Sequence, residues 1–99
     1  MTSRLHIAHL VWDEWNRDHI AKHGVLPEEV EEVIIGELAV HGTYKQRLQL
    51  VGPTLSGRML SIVIGLVLTQ PDVYYVFSAR PASRKERGEY YQQKGDSKR

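Results

Sequence analysis

DVYYVFSARPASRKERGEYYQQKG, residues 72–95, is the stretch that decides the fold. Val73 to Ser78 is rich in β-branched and aromatic residues and ends in Arg80, which reads as a strand over Val73 to Arg80. Ser83 followed three residues later by Glu86 is a capping-box pattern, so a helix starts there. A strand running directly into a helix places Arg80, Arg84, Lys85 and Arg87 beside Tyr90 and Tyr91. Strict alternation along the strand would put Tyr74, Val76, Ser78 and Arg80 on one face and Val73, Tyr75, Phe77 and Ala79 on the other.

Working backwards, Thr69 to Asp72 is a turn, and Arg58 to Leu68 is apolar on both alternating faces, as suits a central strand. Gly52, Pro53, Ser56 and Gly57 supply another turn, preceded by alternating Arg47 to Val51 and by Leu38 to Thr43, with Gly42 as a bend or bulge. Consecutive strands joined by short turns pair antiparallel. Towards the N-terminus, Ile7 to Trp12 reads as a short strand. Asp13 then caps a helix over Glu14 to His23, and Gly24 takes the C′ position. Pro27, backed by Glu28 and Glu29, opens a second helix with the apolar stripe Val30, Val33 and Ile34, and Gly36 ends it. The expectation is one α+β domain over residues 1–99. A short N-terminal strand and two helices precede an antiparallel meander and a C-terminal helix, and the tail 95–99 is disordered.

Ninety-nine residues leave little room for a large cofactor. There is no cysteine, hence no disulfide framework and no thiolate chemistry, which fits a reducing cytoplasm. The N-terminal segment lacks the apolar region of a signal peptide, and Met59 to Leu68 is too short to span a bilayer, so no membrane is expected. The net charge of +1 is unevenly spread. Asp13 to Glu37 holds eight acids against two bases, whereas Arg80 to Arg99 holds seven bases against three acids. That split suits an anionic partner on the C-terminal surface, or simply two solvated helix faces.

Arg87 belongs to both side-chain stripes of the last helix, with Arg84 and Tyr91 in one and with Ser83 and Tyr90 in the other. It is therefore the leading anion contact, with Arg80 at the strand end and Arg84 beside it. A solvated basic helix with its tyrosines packed on the sheet is the plainer alternative. Glu86 suits either a general base toward a ribose hydroxyl or the N3 partner of the cap. His23 suits an acid–base role, since an unperturbed imidazole titrates near neutrality, or the capping of helix-end carbonyls. His19 and His23 have metal-ligand spacing, but the usual intervening glutamate and an obvious third ligand are missing, so no metal is expected. Trp12 and Trp15 either fix the first helix or leave one ring free for a base. Arg47 and Arg58, on neighbouring strands, either extend the basic face or are ordinary strand arginines.

Two segments, WDEWNRDHIAKHGVLPEEVEEV near the start and SARPASRKERGEYY near the end, resemble the BrnT toxin family. The shared elements are Trp12 and Asp13 at a helix start, the turn Lys22 to Val25, and the pair Glu28 and Glu29. Ser78, Ala79 and Arg80 then close a strand, and Glu86 and Arg87 precede Tyr90. A Gly-rich turn, Gly52 to Gly57, is also similar, and the match runs in order from Trp12 to Tyr91. Two departures stand out: Trp15, Asn16 and His19 occupy the region where many members carry a lysine and an asparagine, and Pro81 follows Arg80.

The resemblance implies a RelE-like fold and an endoribonuclease that halts translation. It also implies a type II antitoxin partner with a ribbon-helix-helix DNA-binding part, in a hetero-oligomeric complex that represses their operon. On that reading Arg80, Arg84 and Arg87 bind the phosphate, His23 or Glu86 moves protons, and Tyr90 or Tyr91 meets a base, with Arg47 and Arg58 as further RNA contacts. Neither cofactor nor metal is called for. The rival reading is a non-catalytic module of the same fold that binds nucleic acid or protein.

Overall fold

The computed structural model describes residues 5–95, the side chain of Tyr44 excepted. Arg4, Asp96, Lys98, Arg99 and most of the tail expected to be disordered, residues 96–99, therefore lie outside the described residues, whereas Gly95, expected in that tail, is the last residue of the C-terminal helix. Five strands form one sheet in the order β1-β5-β4-β3-β2. They are β1 (His9–Val11), β2 (Ala39–Thr43), β3 (Arg47–Pro53), β4 (Met59–Leu66) and β5 (Val73–Pro81). The helices are α1 (Glu14–Ala21), α2 (Pro27–Ile35) and α3 (Arg84–Gly95). β2 to β5 form the expected antiparallel meander. β1 pairs parallel with β5 and closes one edge, a long-range contact that local turn chemistry cannot announce.

The helix boundaries follow from their caps. Asp13 and Asn16 exchange backbone–side-chain hydrogen bonds of 2.8 and 2.9 Å at the start of α1. After α1, Gly24 takes φ +71°, a conformation natural to glycine, so the chain turns sharply into α2. The Ser83–Glu86 capping box forms at α3 as the spacing predicts, with bonds of 2.8 and 3.1 Å. β2 pairs with β3 in unbroken register through Gly42, so the bulge entertained there is absent.

One face of the sheet carries the main core. Leu10, Leu50, Leu60, Ile62, Ile64, Val76 and Ala79 pack against Ile20 of α1, Val25, and Val30 and Val33 of α2. The second face has a smaller cluster in which Tyr90 and Ala82 cover Ala39, Val51 and Met59. α3 packs chiefly on the β2–β3 end of that face, and Glu86 at its start reaches Arg80 on β5, which leaves the part around Phe77 open.

A β-bulge decides what the open face contains. Ile64 pairs with Val76 but Val63 pairs with Ser78, which leaves Phe77 as an extra residue on β5. Side-chain parity therefore reverses at Phe77. Val76 and Ala79 both point into the main core, and Ser78 and Arg80 lie with Val63 and Ser61 on the second face. The strict alternation expected from the sequence fails here, since one inserted residue moves every later side chain to the other face.

Candidate functional site

The pairing register lays out three rows across the second face. They are Thr43–Arg47–Gly65–Tyr75, His41–Gln49–Val63–Ser78, and Ala39–Val51–Ser61–Arg80. Phe77, freed from the ladder, covers the first row. A Cβ built on Gly65 would sit 2.7 Å from the Phe77 ring, so only glycine lets that ring lie down on β4. The Arg47 guanidinium in turn stacks on Phe77, its central carbon 3.7 Å from the ring centroid. Among the described residues the Arg47 side chain makes no hydrogen bond or ion pair, so its guanidinium N–H groups remain available to a ligand.

The opposite wall comes from α1. β1 ends at Val11, paired with Tyr75, and α1 then runs alongside the upper half of β5. Fully buried Asn16 fastens it there, donating to the Val11 carbonyl at 2.9 Å and to the Val76 carbonyl at 3.0 Å. Both carbonyls lie where strand pairing stops or is broken by the bulge. One turn apart on α1, Trp15 and His19 stack with ring centroids 4.8 Å apart and planes 10° from parallel. Trp12 packs on the main core and donates to Glu31 at 3.0 Å, whereas Trp15 is exposed, so the two tryptophans divide the alternative roles between them. The result is a cleft of about 700 Å³. Trp15 and His19 form one wall and Arg47 and Phe77 another, with Gln49, Val63 and Ser78 along the floor.

Behind the floor runs a hydrogen-bonded chain. Arg80 grips Glu86 with two bonds of 2.9 and 2.8 Å. Glu86 also accepts from the Ser83 backbone and from Gln49 Nε2, both at 2.8 Å. Gln49 Nε2 donates in addition to Ser61 Oγ at 2.8 Å. The Arg80 hydrogen bond, opposed in part by burial, holds the Glu86 carboxyl down at about 2, and that bond likewise raises Arg80. A carboxylate this acidic and this fully engaged is a poor proton acceptor at neutral pH. Of the two roles open to Glu86, the cap is the one the geometry supports, and its further work is to orient Arg80 and Gln49.

This arrangement has a pH signature. The folded-state value of about 2 lies below the ordinary carboxylate value of 4.5, so ionised Glu86 stabilises the protein above pH 4.5. That contribution is lost as pH falls from 4.5 toward 2. It is on the order of 2 kcal/mol after discounting for solvent screening at the half-exposed Arg80. Acid titration of Glu86→Gln, followed by circular dichroism, should show a shallower loss of stability across this window than the parent protein. Equal acid sensitivity would mean that the pair stores little energy.

The other residues picked out by sequence are dispersed. Arg87 donates to the Ala82 carbonyl at 2.9 Å, at the β5–α3 junction, and does not line the cleft. Arg84 and Tyr91 are exposed on α3, Tyr91 packing edge-on against Tyr90. Tyr90 is only 7% exposed and donates to the Glu37 carbonyl at 3.0 Å. Its ring is core, with no face left for a base. Arg58 is committed to Glu29 at 3.1 Å and to the Gly24 carbonyl at 2.9 Å, where it ties the start of β4 to the α1–α2 turn. His23 sits in that turn, exposed, its ring 5.9 Å from His19, and it is His19 that lines the cleft. Among the described residues no three His, Cys, Asp or Glu side chains are grouped to hold a metal ion. No helix among them is long and apolar enough to cross a membrane.

Gln49, Phe77, Ser78 and His19 in this setting escaped the sequence reading. One signal was there: a glycine inside an otherwise apolar strand, Gly65, marks a close approach by another group.

No family model and no curated protein matches the chain. Among solved structures, the crystal structure of the Brucella abortus ribonuclease toxin BrnT superimposes with a TM-score of 0.62 at 26% sequence identity. The match covers 77% of this chain and 97% of that one. The two share one α+β architecture, and the chain has a BrnT-like fold.

Proposed function

We propose that this chain is an endoribonuclease toxin of a type II toxin–antitoxin pair, acting on cytoplasmic RNA and held in check by an antitoxin with a ribbon-helix-helix part. One observation carries the reading. An arginine whose side chain makes no hydrogen bond or ion pair among the described residues sits over the Phe77 ring and faces a Trp15–His19 stack across a cleft of about 700 Å³. Arginine matches phosphate geometry, and the aromatic wall can stack on a base. The likeness to a ribonuclease toxin supports the same assignment.

The chemistry we assign is attack of a ribose 2′-oxygen on the adjacent phosphorus. The bond to the 5′-oxygen breaks, and a 2′,3′-cyclic phosphate and a 5′-hydroxyl result. Arg47, with Arg80 behind it, offsets the charge that develops on the phosphoryl oxygens. His19, the imidazole in the cleft, replaces His23 as the group that takes the 2′ proton or protonates the leaving oxygen. Trp15 holds its ring in place by stacking. Arg84, Arg87 and Tyr91 lie on exposed α3, where they can guide RNA without touching the reacting atoms.

Purified protein should cleave single-stranded RNA in excess EDTA, because the guanidinium groups provide electrostatic stabilisation of the kind a metal supplies elsewhere. Induced expression without the antitoxin should stop growth. Activity lost with chelator and restored by zinc would instead return His19 and His23 to the status of ligands.

The non-catalytic reading has one observation in its favour: the carboxylate nearest the cleft floor, Glu86, is locked in ion pairing. Normal growth at confirmed soluble expression, together with RNA that is bound but never cut, would establish that alternative.

A further inference from the structure

We infer that a second cleft beside α3 is a subsite for an unpaired nucleobase next to the cleavage site, read at its hydrogen-bonding edge. The inference rests on the ribonuclease reading and extends it from cleavage to recognition. This second cleft, of about 530 Å³, is lined by His41, Gln49, Glu89, Gln92 and Gln93. Gln49 also lines the first cleft, so the two share a wall and one strand of RNA can pass from one to the other.

The chemistry of the two clefts differs. The first offers a guanidinium and aromatic faces, which suit a phosphate and a stacked ring. The second offers three primary amides, an imidazole and a carboxylate, with no lysine or arginine lining it among the described residues. A carboxylate without a cation repels phosphate. Amides and carboxylates are, however, the groups that recognise base edges, since an amide presents a donor beside an acceptor and a carboxylate two acceptors. Glu89, Gln92 and Gln93 sit exposed along α3, with His41 partly buried on β2 opposite.

Gln49 adds a locked element. Its Nε2 donates to both Ser61 Oγ and Glu86 Oε2, so both amide hydrogens are used. Turning the amide over would set its oxygen against an ionised carboxylate. Gln49 Oε1 therefore stays on the open side as a single acceptor at the seam between the clefts. Among the described residues it has no partner, and no buried side-chain polar atom is left unsatisfied, so it faces solvent. A pre-set acceptor discriminates because the wrong edge leaves it unpaired.

The test uses fluorescently labelled, non-cleavable 2′-O-methyl RNA hexamers in which each base in turn is removed to leave an abasic sugar. Binding to the parent protein is compared with binding to Gln92→Ala/Gln93→Ala, whose exposed positions leave the fold and the first cleft intact. In the parent protein, one abasic position beside the stacked nucleotide should weaken binding about tenfold. In the double variant that same removal should cost less than about twofold, because the base has lost its reader. An abasic penalty of equal size in both proteins, or a parent protein indifferent to every base while still binding the hexamer, would overturn the subsite alone. A parent protein that binds no hexamer would overturn the ribonuclease reading as well.

Discussion

Replacing Arg47 by alanine should lower RNA cleavage by roughly 10²- to 10³-fold while the protein stays folded. Arg47 has its guanidinium 3.7 Å over the Phe77 ring and lines the large cleft, and its side chain makes no hydrogen bond or ion pair among the described residues. Stacking restrains the side chain in advance, so less rotamer entropy is lost when it meets a phosphate. If the contact tightens as charge builds on the phosphoryl oxygens, its removal costs transition-state binding, as with the loss of one oxyanion donor. The folded state loses only a half-exposed cation–π contact, worth about 1 kcal/mol. Arg47→Lys should recover part of the activity, because the charge returns but the planar fork does not. Gly65→Ala reaches the same end without touching a charge, since its Cβ would stand 2.7 Å from the Phe77 ring and push the platform away. Single-turnover cleavage and thermal melting, measured on the same samples, separate chemistry from folding. Full activity in a folded Arg47→Ala protein would move the reaction out of this cleft and towards the α3 cations.

This ranking reverses what the sequence suggests, and the reversal has a physical origin. Arg87 looked central because helix periodicity is local and can be read from spacing alone. What periodicity omits is where the guanidinium ends up, and here it is anchored on the Ala82 carbonyl. Arg58 looked like a strand cation that could meet RNA, yet Glu29, distant in sequence, holds it. Arg47 looked only like a peripheral RNA contact, because its place in the cleft depends on Phe77, 30 positions away by residue number, and on Gly65 between them.

The readable parts were those set by short-range physics. The Ser83–Glu86 box, the Gly24 stop, the Pro27 start and the antiparallel meander each rest on neighbours within a few residues, and each formed as expected. The unreadable parts were a bulge and an edge pairing. Nothing in Val73 to Arg80 announces that Phe77 leaves the ladder, because alternation with and without one extra residue fits the same composition. Yet that residue decides that Ser78 and Arg80 share a face with Gln49 and Ser61. Likewise, parallel pairing between the first and last strands depends on the whole chain between them.

That edge is where the second large effect is expected: Asn16→Ala should destabilise the protein by about 4 kcal/mol. The Asn16 amide makes three hydrogen bonds at once, accepting from the Asp13 backbone and donating to the carbonyls of Val11 and Val76. The residue is 0% exposed, so water does not readily replace the lost partners. Each buried group left unsatisfied costs about 1–3 kcal/mol, and three are involved, one of them near the surface at the helix cap. For a domain of this size the melting temperature should fall by roughly 15–25 °C. Function should suffer even below the melting point, because α1 would loosen from the β5 edge and carry Trp15 and His19 away from the cleft. Hydrogen exchange should accordingly rise along α1 and at β5 near Phe77, while the β3–β4 pairing stays protected until global unfolding. Asn16→Asp tests the direction of the bonds, since a carboxylate can accept from Asp13 but sets negative oxygens against two carbonyls. It should be no more stable than the alanine variant. If Asn16→Ala melts within about 3 °C of the parent protein, α1 is held by Ile20 and its apolar neighbours, and the edge carbonyls find other donors.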